Sequence, residues 1–178
     1  FPNVNKQEQA YHSFLPNSGP VASVFYIPKS LHTFLKQFYP KIKILYLHEL
    51  SSVLEGLINS SSANNQVNIS IYFHGGSQTI VALNEGKLMF FNTFHFLNAE
   101  DTVFYVLSVL DKIKIEAKDA SLIVYGDIEK NSAVMTQLDR YIQEVSTGER
   151  PKLFYFNYQF DEIPEQRHFE TFSAHLCK

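Results

Sequence analysis

The sequence predicts an α/β protein whose larger part is a mixed five-stranded sheet flanked by helices. Three observations carry that expectation. Strand-like and helix-like stretches alternate between residues 21 and 58, the pattern of a parallel α/β layer. Three β-rich runs then follow one another between 67 and 96, joined only by tight turns, as in an antiparallel meander. From residue 98 onward helical and strand patterns alternate again, so the order from residue 67 is βββαβαβα.

Each element has its own signal. Residues 1–20 are polar and broken by Pro2, Pro16, Gly19 and Pro20, which reads as a loop or an extended arm. "VASVFYIP" (21–28) is β-rich and ends at a proline, a strand. In "KSLHTFLKQFYP", Leu31, Phe34, Leu35 and Phe38 share one face of a short amphipathic helix, with Ser30 as a candidate cap and Pro40 as the stop. "KIKILYLH" (41–48) reads as a second strand and "ELSSVLEGLI" (49–58) as a second helix, with Leu50, Val53, Leu54, Leu57 and Ile58 inward. "NSSSANNQ" (59–66) holds no apolar residue larger than Ala and reads as a linker.

Residues 67–74, 78–84 and 87–96 are the meander, with Gly86 at the second turn, where a hairpin needs positive φ. The next helix starts at Asn98 as N-cap, with Glu100 and Asp101 in the electropositive first turn. Val103, Phe104, Val106, Leu107, Leu110 and Ile113 give it a wide buried face. A strand over 120–128 runs into Gly126. A helix over 132–145 follows, with Val134, Leu138, Tyr141, Ile142 and Val145 inward. "KLFYFNYQF" (152–160) reads as the last strand, and Pro164 opens a final helix.

Bulk composition narrows the function classes. Apolar residues at 45% and charged ones at 19% suit an ordinary soluble globular fold. A formal charge of -3, with no basic run interleaved with aromatics, argues against nucleic-acid binding. No apolar stretch reaches the roughly 20 residues of a membrane helix, so no membrane insertion is expected. The only cysteine, Cys177, excludes a disulfide framework and fits a cytoplasmic location.

A meander followed by α-β-α resembles the lobes of ribonuclease-H-like and actin-like proteins. In actin, Hsp70 and sugar-kinase relatives a crossing helix and a linker lead into the second lobe. That lobe opens with a strand and a glycine-rich turn of Asp-x-Gly-Gly-Gly-Thr type. Helix 49–58, linker 59–66, strand 67–73 and "HGGSQT" (74–79) repeat that succession. "LIVYGDIEKNSAVMTQL" resembles the adenosine-side element, with one glycine, Gly126. The phrases "LNEGKLMFFNTFHF", "EDTVFYVLSVLDKIKI" and "HFETFSAHLC" also resemble an uncharacterised bacterial family with an actin-like ATPase fold, which carries no established activity.

The resemblance implies a chain divided into an arm (1–20), a partial first lobe (21–58), a linker (59–66) and a second lobe (67–178). Phe1 would then be an internal residue of a longer protein. The other reading is that 21–58 packs beside the second lobe as a complete unit.

The resemblance also points to a relic nucleotide site formed by Gly75, Gly76, Ser77, Thr79, Gly126 and Asp127. Backbone N–H groups at glycine-rich turns cradle phosphates, and a nearby carboxylate holds Mg²⁺. Here the acidic position falls at Phe73, or at His74 after a one-residue slip, and neither replaces a carboxylate. Ser77 and Thr79 have cross-strand pairing as their alternative role, and Asp127 that of a solvated loop acid.

No catalytic residue and no metal ligand is therefore assigned. His74 without an orienting partner is a weak general base, and His168, His175 and Cys177 suit a helix packed on the sheet. The expectation is a catalytically degenerate actin-like domain without a cofactor, acting through a protein partner or by self-association. The alternative is an ATPase or kinase that uses ATP and Mg²⁺ with acids supplied by a missing N-terminal lobe.

Overall fold

The computed structural model describes residues 9–14, 21, 23–61 and 67–177. The expected linker lies mostly outside these residues, at 62–66, as do 1–8 and 15–20 of the expected arm. Of that arm, Gln9–Phe14 is not loop but a strand, β1, paired antiparallel with β2 (Ser23–Pro28). Helix α1 (Lys29–Phe38) follows at once. It is amphipathic as its spacing predicts, yet none of its residues is buried, and Phe34 and Phe38 are 55% and 64% exposed. Ser30 is not its cap; the N-cap position is Pro28, without a side-chain bond.

Residues 41–48 do not form the expected strand. They run without a ladder partner among the described residues to His48, whose Nδ1 accepts from the Leu50 amide and caps α2 (Glu49–Ser60). Helix α2 is buried along Val53, Leu54 and Leu57, as its spacing predicts.

The central sheet has the order β5-β4-β3-β6-β7. Strands β3 (Val67–His74), β4 (Ser77–Asn84) and β5 (Lys87–His95) form the antiparallel meander. Between β4 and β5 the register slips by one residue at Ala82/Leu83, which leaves Met89 as the extra, bulged residue. Helix α3 (Ala99–Ile113) is capped by Asn98, whose side chain accepts from the Asp101 amide. Strand β6 (Ser121–Gly126) pairs parallel with β3, and β7 (Glu144–Thr147) pairs parallel with β6.

This last strand differs from expectation. Helix α4 (Ala133–Tyr141) stops four residues early, because Ile142 turns extended and the chain enters β7. The fifth strand is therefore 144–147, not 152–160. Tyr141, expected inward, is 54% exposed, as is Phe104 of α3 at 65%. Residues 152–160 instead fold into turns and a 3-10 helix at Tyr158–Phe160. Phe156 and Phe160 meet Phe172 edge-to-face, at 4.9 and 6.0 Å between ring centroids. Phe154, Phe156 and Phe160 thus pack on one another or on α5 (Phe169–Ser173), while Tyr155 and Tyr158 are exposed, rather than all standing on two faces of a strand.

The sheet separates two apolar layers. On one face Ile69, Ile71, Phe73, Ile80 and Ala82 pack against α3 and α4 through Val106, Leu110 and Leu138. On the other, Tyr72, Val81, Leu83 and Tyr125 pack against α2 and Phe169 of α5. The alternation of strand side chains assigns each residue to its layer. No described helix is long and apolar enough to cross a membrane.

Candidate functional site

The parallel neighbours β3 and β6 end side by side, the place where open α/β sheets gather ligands. Beyond β3, Gly75 and Gly76 form a two-residue turn between His74 and Ser77, with φ of 55° and 75°. Positive φ at both positions is the type I′ hairpin geometry that suits the twist of paired strands. A Cβ at either glycine would meet nothing within 4 Å, so the turn stands open.

Ser77 and Thr79 look across the hairpin. Ser77 Oγ shares a hydrogen bond of 2.9 Å with His95 Nδ1, and Thr79 Oγ1 one of 2.8 Å with Thr93 Oγ1. At the end of β6, Gly126 has φ 91° and lies against the Phe73 carbonyl. Its amide donates to the Gln166 carbonyl (2.8 Å), and the Asp127 amide donates to the Phe73 carbonyl (2.9 Å). The six residues expected as a relic site therefore divide into three parts. They are an open turn, a cross-strand hydroxyl pair set, and a tight β3–β6 junction that delivers Asp127.

The junction also assembles residues that the sequence reading did not join. His74 Nδ1 lies 3.7 Å from Glu49 Oε1 and 3.9 Å from Asp127 Oδ2. These are ion-pair separations for a protonated imidazole and are too long for hydrogen bonds that would orient a general base. The buried Tyr72 hydroxyl donates to Glu49 Oε1. Burial first, then that bond and the Glu170 carboxylate, push the Tyr72 pKa far up, so the phenol stays neutral. Period-two spacing places Tyr72 and His74 on one face of β3, a signal the sequence holds. Glu49 and Glu170 come from α2 and α5 and leave none.

A Mg²⁺ ion, which the fold resemblance implies, does not fit these residues. The ion needs an octahedron of oxygens, but His74 stands between the two nearest carboxylates and Tyr72 occupies one of them. Among the described residues no group of three or more His, Cys, Asp or Glu side chains is arranged to hold a metal. The position that would need the acid, Phe73, is 2% exposed, with its ring 5.4 Å from Phe96.

The C-terminal His168, His175 and Cys177 do not share one helix. His168 precedes α5 with φ 58°, and is not within the helix. The His175 ring packs edge-to-face on Phe154 at 5.4 Å. Cys177 is a free, buried cysteine whose thiol pKa is raised, mainly by burial.

This arrangement of sheet and helices is an actin-like ATPase fold. A solved protein from Bacteroides thetaiotaomicron VPI-5482, described as having an actin-like ATPase fold and unknown function, superposes with a TM-score of 0.75 at 17% identity. The match covers 99% of this chain and 62% of that one, so the chain spans less than two thirds of its structural neighbour. The chain belongs to the family described as "protein of unknown function (DUF3822)", whose profile matches residues 1–145. No curated protein matches it.

Proposed function

We propose that this chain is a cytoplasmic, non-catalytic actin-like domain that works by binding another protein or by assembling with copies of itself. One observation carries the reading: neither residue that can take the acid position beside the Gly75-Gly76 turn is a carboxylate, Phe73 having a side chain that belongs to the core and His74 being the residue reached by a one-residue slip. A core phenylalanine cannot be turned outward to serve a phosphate-bound cation without opening the α3 layer. The unburied apolar residues of α1, with Leu31 at 44% and Phe38 at 64% exposure, suit a domain that meets other surfaces.

A second reading has its own support. The Gly75-Gly76 turn stands open, so the alternative is an ATPase or kinase that uses this turn with catalytic acids supplied by a further N-terminal lobe.

Calorimetry with ATP and with ADP, each with and without Mg²⁺, on the full-length natural protein separates the two. The first reading expects no heat of binding at millimolar nucleotide, and sedimentation or cross-linking that reports association. Mg²⁺-dependent binding that disappears in a folded Gly75→Val, Gly76→Val variant would overturn it in favour of the second.

A further inference from the structure

A cavity of about 480 Å³ opens beside the carboxyl end of β7, on the face of the sheet that carries α2 and α5. It exists because α5 is only five residues long and 152–160 leaves the sheet instead of extending it. Ile123 and Tyr125 of β6 form its floor, the chain from Thr147 to Leu153 one wall, and the last turn of α2 the other. Its size is that of a small-molecule site, and it lies apart from the Gly75-Gly76 turn.

Two polar side chains along it are incompletely paired. Tyr125 is 4% exposed, its ring held between Gly148 and Phe169, the latter at 4.2 Å between centroids. Its hydroxyl nonetheless makes no hydrogen bond among the described residues. Burial, and secondarily the Glu149 carboxylate, push its pKa up to about 12, so at neutral pH the phenol is a donor.

Arg150 is the second. Its Nη2 donates to the carbonyls of Phe160 and Ile163, and its guanidinium lies 5.2 Å from the Phe156 ring centroid. Nε has no acceptor, and no carboxylate pairs with this cation among the described residues. A half-buried guanidinium without a counter-charge is a site for an oxyanion.

The remaining charges limit which one. Lys152 Nζ is 3.1 Å from Glu149 Oε2, so these two cancel and Arg150 leaves a single net positive charge. The C-terminal end of α2, at Asn59 and Ser60, adds partial negative charge. A monoanion suits this balance better than a dianionic phosphate. Ile123, Leu153 and the Tyr125 ring offer apolar surface beside it.

We propose that this cavity binds a small monocarboxylate with an apolar body, which accepts from the Tyr125 hydroxyl, is balanced by the Arg150 charge and lies on Ile123 and Leu153. The proposal is independent of the assembly reading above.

The test is a ¹H–¹⁵N NMR titration of the whole chain with 3-phenylpropionate, against 3-phenylpropan-1-ol and 3-phenylpropylamine. The expected result is saturable shifts centred on Gly148 to Leu153 with a Kd of about 5 mM. The alcohol should bind about fivefold more weakly and the amine not at all. Tyr125→Phe should weaken the acid about fivefold with an unchanged unfolding midpoint, because that hydroxyl holds nothing in the protein. Glu149→Gln should tighten it about twofold.

Equal binding of acid and alcohol would overturn the proposal. So would preference for the amine, or a Tyr125→Phe variant that binds as well as the parent. An acid that produces no saturable shift up to about 20 mM would also overturn it.

Discussion

Gly126→Ala tests whether the β3–β6 junction is held by backbone packing that only glycine permits. Gly126 has φ 91°, and a Cβ there would lie 2.1 Å from the Phe73 carbonyl oxygen, where real Cβ contacts essentially never fall below 3.0 Å. Alanine in such a left-handed conformation costs about 1–2 kcal/mol before any clash. Relieving the clash must move β6 from β3 by nearly 1 Å. That strains the Asp127 amide bond to Phe73 and the Gly126 amide bond to Gln166, each worth about 1 kcal/mol.

The expected loss is about 3–4 kcal/mol. Urea unfolding followed by far-UV circular dichroism would show it as a midpoint drop of about 1.5–2 M, for a slope near 2 kcal/mol/M. Gly75→Ala is the comparison: it shares the positive φ but meets nothing within 4 Å, so it should lose only about 1 kcal/mol. If both variants lose the same amount, the close approach to Phe73 contributes nothing and the reasoning about the junction fails.

Three further outcomes follow from the structure. Leu138→Ala, at a side chain with 0% exposure between α4 and the sheet, should cost about 3 kcal/mol, a thermal midpoint drop of about 9 °C. Gly148→Ala would place a Cβ 2.0 Å from the Tyr125 ring, so it should cost about 2 kcal/mol and alter the near-UV tyrosine signal. Tyr72 and Tyr125 both keep their protons in the folded protein above the ordinary tyrosine pKa of 10.0. The unfolded chain then binds fewer protons than the native one, so stability must fall as pH rises above 10. Urea unfolding should show stability falling by about 2 kcal/mol per pH unit near pH 11 and more gently towards pH 12, where Tyr125 itself titrates, with the slope near pH 11 roughly halved in Tyr72→Phe or Tyr125→Phe.

The meander was legible because its signals are local. Gly75-Gly76 and Glu85-Gly86 both adopt the positive φ that two-residue hairpins require, and the strands between them alternate or run apolar over their whole length. Asn98 was legible as a cap for the same reason: its side chain bonds an amide three residues away. Gly75 and Gly76 could be named from their turn alone, whereas Gly126 and Asp127 came from the resemblance to the adenosine-side strand and loop.

Long-range pairing was not legible. "EVST" at 144–147 continues the apolar spacing of the preceding helix. It becomes a strand only because β6, 23 residues earlier, offers a parallel edge. Residues 41–48 and 152–160 carry stronger β-propensity than β7 but find no ladder partner among the described residues, and propensity without a partner does not make a strand. The aromatic run instead closes around Phe172 and the Arg150 guanidinium.

Turn geometry, helix caps and the side each strand residue faces are set within a few residues of chain, so the sequence alone determined the meander, the βββαβα order that begins with it and the open glycine turn. Which strand closes the sheet, and which carboxylates stand beside His74, depend on groups brought together from distant elements. The same is true of the cavity at Tyr125 and Arg150. Their energies come from burial and pairing across the fold, and only the tertiary structure decided them.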